Sequence, residues 1–325
     1  MKLLVTGGAG YIGSVMTAQL LEAGHEVTVF DNLSKGHIQA VPAEARFIEG
    51  DLLNGERLPQ LLSTGFDGVL HFAALSLVAE SVVQPERYYR NNVCGTLNLL
   101  DAMRTARIPR LVFSSTAAVY GVPEEIPIPE AAFTQPTNPY GGSKLAIDQM
   151  IGFEAAAHGL AAVSLRYFNV AGASGRLGED HHAETHLIPL VLQAAAGQRS
   201  EVQIYGTDYP TPDGTAIRDY IHVEDLARAH VLALECVQAG EHRIYNLGNG
   251  KGFSVGEVIE TARNVTERTI NAAPAPRRAG DPPILVASSQ KIRHELGWLP
   301  AKPDLATMIS DAWEWLQAHP HGYAH

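Results

Sequence analysis

The chain opens on an apolar stretch, Lys2-Leu3-Leu4-Val5-Thr6, that runs without a spacer into Gly7-Gly8-Ala9-Gly10-Tyr11-Ile12-Gly13. No other feature restricts the fold as much, because few architectures ask the backbone to turn so tightly at the end of a strand. Tyr11 to Ala23 then reads as a helix closed by Gly24, and His25 to Phe30 as a second strand ending at Asp31. Strand, glycine loop, helix, strand and acid together make a dinucleotide-binding unit. Gly7 and Gly10 let the backbone approach a pyrophosphate, whose charge sits at the helix N-terminus beside Tyr11 and Ile12. Gly13 lets the helix lie close to the sheet. Asp31 is placed to accept hydrogen bonds from the adenosine ribose and would repel a 2′-phosphate, so NAD is expected rather than NADP. Asn32, Lys35 and Gly36 follow on the same edge and join the candidate cofactor contacts.

The strand–helix rhythm continues through the first half. Apolar strands are expected at Ala45–Gly50, Gly68–Ala73, Arg110–Ser114 and Ala162–Phe168, with a helix over Tyr88–Arg107 among the segments between them. Alternation of this kind implies a doubly wound α/β fold, a parallel sheet covered on both faces, with ligands at the carboxyl edge. Candidates at that edge are Asp51 and Leu52 near the adenine, Phe72-Ala73-Ala74 and Ser76 along the cofactor backbone, and Phe168. Asn91 is expected to brace the loop after the fourth strand. Both Asp51 and Asn91 are also readable as simple helix caps.

The chemistry points to Asn138-Pro139-Tyr140-Gly141-Gly142-Ser143-Lys144. Asn138 suits a helix cap and Pro139 a first helical position, and the helix is expected to run to about His158. Tyr140 and Lys144 then share one face. A phenol is a poor base at neutral pH, and a neighbouring ammonium lowers its pKa. Alone, the spacing is equally that of a helix surface pair. The fifth strand adds Ser114-Ser115-Thr116 at the same edge, where Thr116 is positioned to bond a reacting substrate oxygen or share its proton with Tyr140, and Ser114 and Ser115 read as turn-capping hydroxyls.

A formal net charge of −11 leaves no surplus of Lys and Arg for nucleic-acid phosphates. The only cysteines, Cys94 and Cys236, sit in apolar surroundings and are expected to be buried free thiols of a reducing compartment. No apolar run reaches a membrane span, and the N-terminus enters a strand directly, so a cytoplasmic location is expected.

Thr6-Gly-Gly-x-Gly-x-x-Gly13, Thr116 and Tyr140-x-x-x-Lys144 together resemble the extended short-chain dehydrogenase/reductase superfamily. His71-Phe72-Ala73-Ala74, Arg166-Tyr167-Phe168-Asn169-Val170 and the run from Tyr205 through Arg218 to Val223 narrow the likeness to UDP-galactose 4-epimerases. It continues through Arg277-Arg278-Ala279-Gly280-Asp281 and Leu296-Gly297-Trp298. The resemblance implies a tightly held NAD that is reduced and reoxidised within one cycle, a transient 4-keto sugar, Tyr140 as base, and Lys144 on the nicotinamide ribose. It implies a Rossmann domain over residues 1–169 with a return segment 221–248, and a smaller mixed α/β substrate lobe over 170–220 and 249–325. It also implies a UDP-sugar site built from Asn169, His186, Leu187, Gln203, Ile204, Tyr205, Arg218, Tyr220, Arg278 and Asp281. In that site Tyr205 stacks on uracil, and Arg218 and Arg278 meet the diphosphate. Relatives pair through helices such as Tyr88–Arg107 and Tyr140–His158, so a homodimer is expected.

The chain departs from the pattern in places. Ser76 stands where many relatives carry a lysine, His186 where they carry an asparagine, and Leu285 at a gate position of intermediate size. That gate leaves open whether N-acetylated or pentose UDP-sugars are accepted. Related dehydratases carry Asp-Glu after the threonine, whereas Ala117 and Ala118 stand here, which disfavours a dehydratase or decarboxylase. A non-catalytic NAD-binding protein is disfavoured by the presence of both Tyr140 and Lys144. The histidines and Glu184 of His181–His186 lack the helical His-Glu-x-x-His spacing, so no metal is expected. The proline-bearing loop 121–138 reads as a lid over the site, and the tail after Ala318 as frayed.

Overall fold

The structure is a computed structural model describing residues 1–54, 56–181, 183–278 and 281–323. Its main element is a seven-stranded, wholly parallel sheet. From one edge to the other the strands are His242–Leu247, Ala161–Tyr167, Arg110–Thr116, Gly68–His71, Lys2–Thr6, Glu26–Asp31 and Arg46–Glu49. The chain starts in the interior and winds outward in both directions, which opens a crevice beyond the carboxyl ends of the strands flanking the starting one.

Alternation along each strand sends side chains to two cores. Leu3, Val5, Val112, Val163 and Leu165 face the helices Tyr11–Glu22 and Val223–Cys236. Leu4, Leu111, Phe113 and Ala162 face Arg57–Leu62, Gly95–Ala106 and Pro139–His158. A third core joins the helices Leu187–Ala195, Val255–Thr266 and Leu305–Ala318 with three short sheets, one of which pairs Asn169–Ala171 with Tyr220–His222. Among the described residues no helix is long and apolar enough to cross a membrane.

Four expectations are corrected. The helix read over Tyr88–Arg107 is interrupted by a π-helical turn at Tyr89–Cys94 before Gly95–Ala106 resumes. The wider turn shifts the inward face, so Asn92 is buried and Cys94 exposed rather than buried. Loop 121–138 is not a lid: Ile128 is fully buried and exchanges backbone hydrogen bonds with Val286 and Ser288, and no residue of the loop lines the cleft. The tail stays docked as far as Tyr323, whose amide donates to Asp180 Oδ2 at 2.9 Å and whose ring packs on Trp315.

Candidate active site

The glycine loop takes the form its spacing requires. Gly7 has φ +74°, and a Cβ there would lie 2.5 Å from the amide nitrogen of Ala73. A Cβ at Gly13 would lie 2.2 Å from the Gly7 carbonyl oxygen, so helix and loop touch backbone to backbone. The helix Tyr11–Glu22 has no side-chain cap and no acid in its first turn, leaving its N-terminal end free for an anion. Asp31 ties the loop to the next strand: its carboxylate accepts from Ala9 N at 3.0 Å and Leu33 N at 2.8 Å.

These elements open into a cleft of about 810 Å³ along the carboxyl edge of the sheet, at the upper end of the range for ligand pockets. Every cofactor candidate named above lines it except Asp51. Asp51 instead accepts from Asn32 Nδ2 at 2.9 Å and Leu53 N at 2.8 Å, a local turn clamp. Asn91 lines the cleft, but the bracing expected of it falls to its neighbour. Asn92 accepts from Leu75 N, and its amide donates to Leu75 O and Ser143 Oγ.

The helix Pro139–His158 starts as its sequence requires, with the Asn138 side chain accepting from Gly141 N at 2.9 Å. Its inward stripe includes Lys144, Ile147, Asp148, Ile151 and Ala155, so two charged groups one turn apart point at the sheet. Thr116 hydrogen-bonds the Tyr140 phenol and also accepts from Ala118 N. Burial pushes the Tyr140 phenol up and the Thr116 bond pulls it back down. The ammonium expected to act on it is engaged elsewhere: Lys144 Nζ donates to Ser114 O at 2.7 Å and lies 4.7 Å from the Phe113 ring centre. Burial depresses Lys144 to about 7, against the pull of Asp148. Tyr167, also buried in the cleft wall, is pushed well up by burial and by the charge of Tyr140. Burial thus raises both phenols of the cleft wall above their ordinary range.

Ser114 and Ser115 are not turn caps. Ser114 Oγ pairs with the Tyr167 hydroxyl, and Ser115 Oγ donates to Asp148 Oδ2 at 3.1 Å. Asp148 in turn pairs with Arg166 at 3.0 Å, and Arg166 reaches the Tyr120 hydroxyl, which donates to Asn246. Arg166 and Tyr167 entered the sequence reading only as part of a matched stretch, with no role, and Asp148 not at all, because nothing in a linear spacing tells a buried polar network from a surface one.

On the substrate side, Asn169, His186, Leu187 and Tyr220 line the cleft, whereas Gln203, Ile204, Tyr205, Arg218, Arg278, Asp281 and Leu285 do not. Arg218 is held by Asp281 at 2.5 Å, and Arg278 lies 4.1 Å over the ring of Tyr205, covering the face expected to stack on a base. Ala279 and Gly280 of the matched run, and His182, lie outside the described residues. Burial lowers the His186 imidazole, but the charge and hydrogen bond of Glu179 outweigh it and lift the group to about 9. Glu179, invisible to the motif search, also brings His181 and His186 to one carboxylate.

A Rossmann sheet whose glycine loop shares a cleft with a Tyr-x-x-x-Lys helix and a hydroxyl-bearing strand end defines a nucleotide-dependent redox enzyme of the short-chain dehydrogenase/reductase type. The chain belongs to the NAD dependent epimerase/dehydratase family, whose sequence profile matches residues 3–248. It is 60% identical to the UDP-glucose 4-epimerase of Corynebacterium glutamicum over 319 residues, spanning 98% of this chain and 96% of that protein. Among solved structures, it superposes on the Brucella ovis UDP-glucose 4-epimerase in complex with NAD at a TM-score of 0.93 and 47% identity, covering 96% and 97% of the two chains. It superposes on the Bifidobacterium longum enzyme in complex with NAD+ and UDP at 0.94 and 38% identity, covering 99% and 100%.

Proposed function

We propose that the protein interconverts UDP-galactose and UDP-glucose by inverting C4 of the hexose, with NAD retained throughout. The observation that carries this reading is the meeting of Tyr140, Thr116 and Lys144 in the same cleft as the glycine loop and Asp31. Bound NAD supplies a reversible hydride store, which lets C4 be oxidised to a ketone and then reduced on its other face. Tyr140 takes the proton of the 4-hydroxyl and returns it to the new alkoxide, while Thr116 holds the shared oxygen in line. Gly7, Gly10, Gly13 and Asp31 grip the dinucleotide.

Asn169, Leu187, Tyr220 and His186 form the near wall of the UDP-sugar site. Tyr205, Arg218, Arg278 and Asp281 serve it from the outer rim, where Arg218 and Arg278 leave their present partners to meet the diphosphate. Residues 1–169 with 221–248 act as the cofactor domain, and 170–220 with 249–325 as the sugar domain. Two copies pair through the helices Gly95–Ala106 and Pro139–His158, where Leu97 and Phe153 are exposed. The reaction belongs in the cytoplasm, where thiols such as Cys94 stay free.

The test is turnover of UDP-galactose to UDP-glucose by NAD-loaded protein with no added reductant. Folded, NAD-loaded protein that produced no UDP-glucose would refute the reading.

A further inference from the structure

One group of side chains outside the acid–base machinery brings four metal-ligating atoms together. Glu179, His181, Glu184 and His186 each offer one donor atom, and these atoms all lie within 4.8 Å of one another. His181 Nδ1 is 3.3 Å from Glu179 Oε1 and 3.2 Å from Glu184 Oε2. His186 Nδ1 is 2.6 Å from Glu179 Oε1 and 3.4 Å from Glu184 Oε1. Donors held tetrahedrally at zinc bond lengths of about 2.0–2.1 Å stand roughly 3.3 Å apart, and two of these separations match whichever Glu184 oxygen is counted. Two imidazole nitrogens with two carboxylate oxygens form a donor set that suits zinc rather than magnesium or calcium.

The surroundings also fit. The Glu179 and Glu184 side chains are only 8% and 6% exposed, a buried pair of like charges whose sum a dication cancels. Glu184 Oε1 accepts from Thr185 N at 2.6 Å and His186 N at 2.7 Å, the outer hydrogen bonding that orients a ligating carboxylate. Asp180, between the ligands in sequence, is turned away to His37 and Tyr323.

We propose that Glu179, His181, Glu184 and His186 bind one zinc ion in a four-coordinate site closed by protein ligands. The ion replaces the protons these groups otherwise share and is structural. It pins Glu179, His181 and Glu184 onto the start of the helix Leu187–Ala195, and so fixes the wall between the cleft and a second cavity of about 160 Å³ behind it. The inference runs against the sequence expectation of no metal, which rested on helical spacing and did not include Glu179. It does not depend on the proposed reaction.

The test uses full-length, untagged, NAD-loaded protein. It is stripped with a chelator, given one equivalent of zinc chloride, dialysed, and assayed for metal by mass spectrometry. We expect about one zinc per chain, a raised unfolding temperature, and retention at least tenfold lower in the Glu179→Gln/His181→Gln double variant. X-ray absorption at the zinc edge of the unmodified protein, which needs no variant to fold, should show only nitrogen and oxygen neighbours at about 2.0–2.1 Å. Loss of zinc on dialysis, equal retention by the double variant, or sulfur in the coordination shell would each overturn the proposal.

Discussion

Lys144 is 2% exposed and its amine is held at about 7 by burial, far below its ordinary 10.5. At roughly 1.4 kcal/mol for each pH unit, keeping that amine protonated inside the fold costs about 5 kcal/mol. The cost applies fully below about pH 7, where the lysine is charged in both folded and unfolded chains. Between about 7 and 10.5 the unfolded chain binds the extra proton, so stability rises with pH, and above 10.5 the cost is gone. Replacing Lys144 by methionine removes this term and preserves most of the volume. It also strips Ser114 O of its donor at 2.7 Å, a loss of about 1–3 kcal/mol.

The net expectation for Lys144→Met is a gain of about 2–4 kcal/mol near pH 6 that shrinks with pH and changes sign near pH 9. Epimerase turnover should fall at the same time, because the cleft loses the amine that shares it with Tyr140. Urea unfolding of both proteins, freed of nucleotide, followed by circular dichroism from about pH 6 to 10, measures the difference directly. A variant less stable at every pH, or a difference flat across the range, would refute the reasoning.

Three further outcomes are expected. Tyr140→Phe should keep its NAD and lose about 10²–10⁴-fold in turnover; a coupled UDP-galactose assay beside a cofactor-content measurement separates the two, and undiminished turnover would clear Tyr140. Gly13→Ala drives a methyl to 2.2 Å from the Gly7 carbonyl, so purified protein should carry well under one NAD per chain and lose about 1–3 kcal/mol of stability. Full NAD occupancy would contradict the close packing described. Arg166→Leu leaves Asp148 charged and unpaired in a site 3% exposed, with an expected loss of about 3–5 kcal/mol by urea unfolding; a loss under about 1 kcal/mol would show that the pair carries little.

The first half of the fold was legible because each element announces itself locally. Glycines bound the first helix, Asn138 and Pro139 begin the one that carries Tyr140 and Lys144, and apolar runs mark six of the sheet's strands before Asn169. The errors arise where tertiary partners decide. A π-helical turn cannot be seen in Tyr89–Cys94, yet it exchanges the roles of Asn91 and Asn92 and exposes Cys94. Loop 121–138 resembles a lid until Ile128 is found stitched to Val286 and Ser288, more than 150 residues on. Arg218 and Arg278 read as waiting for phosphate, but each already has a partner, Asp281 and Tyr205, that no spacing links to it.

The end of the strand Arg110–Thr116 shows why the site could be located but not wired from sequence. Strand alternation separates its three hydroxyls: Ser114 and Thr116 reach Tyr167 and Tyr140 on the cleft side, while Ser115 turns to Asp148. Asp148 lies one turn beyond Lys144, and its charge favours the protonated amine. Arg166 already claims that carboxylate at 3.0 Å, its own charge spread onward to Tyr120. Burial outweighs the pull of Asp148 on Lys144, and the amine is held at about 7. The Asp148–Arg166 pair lies outside the cleft and shapes the site by holding the inward stripe of the helix Pro139–His158 against the ends of the strands Arg110–Thr116 and Ala161–Tyr167.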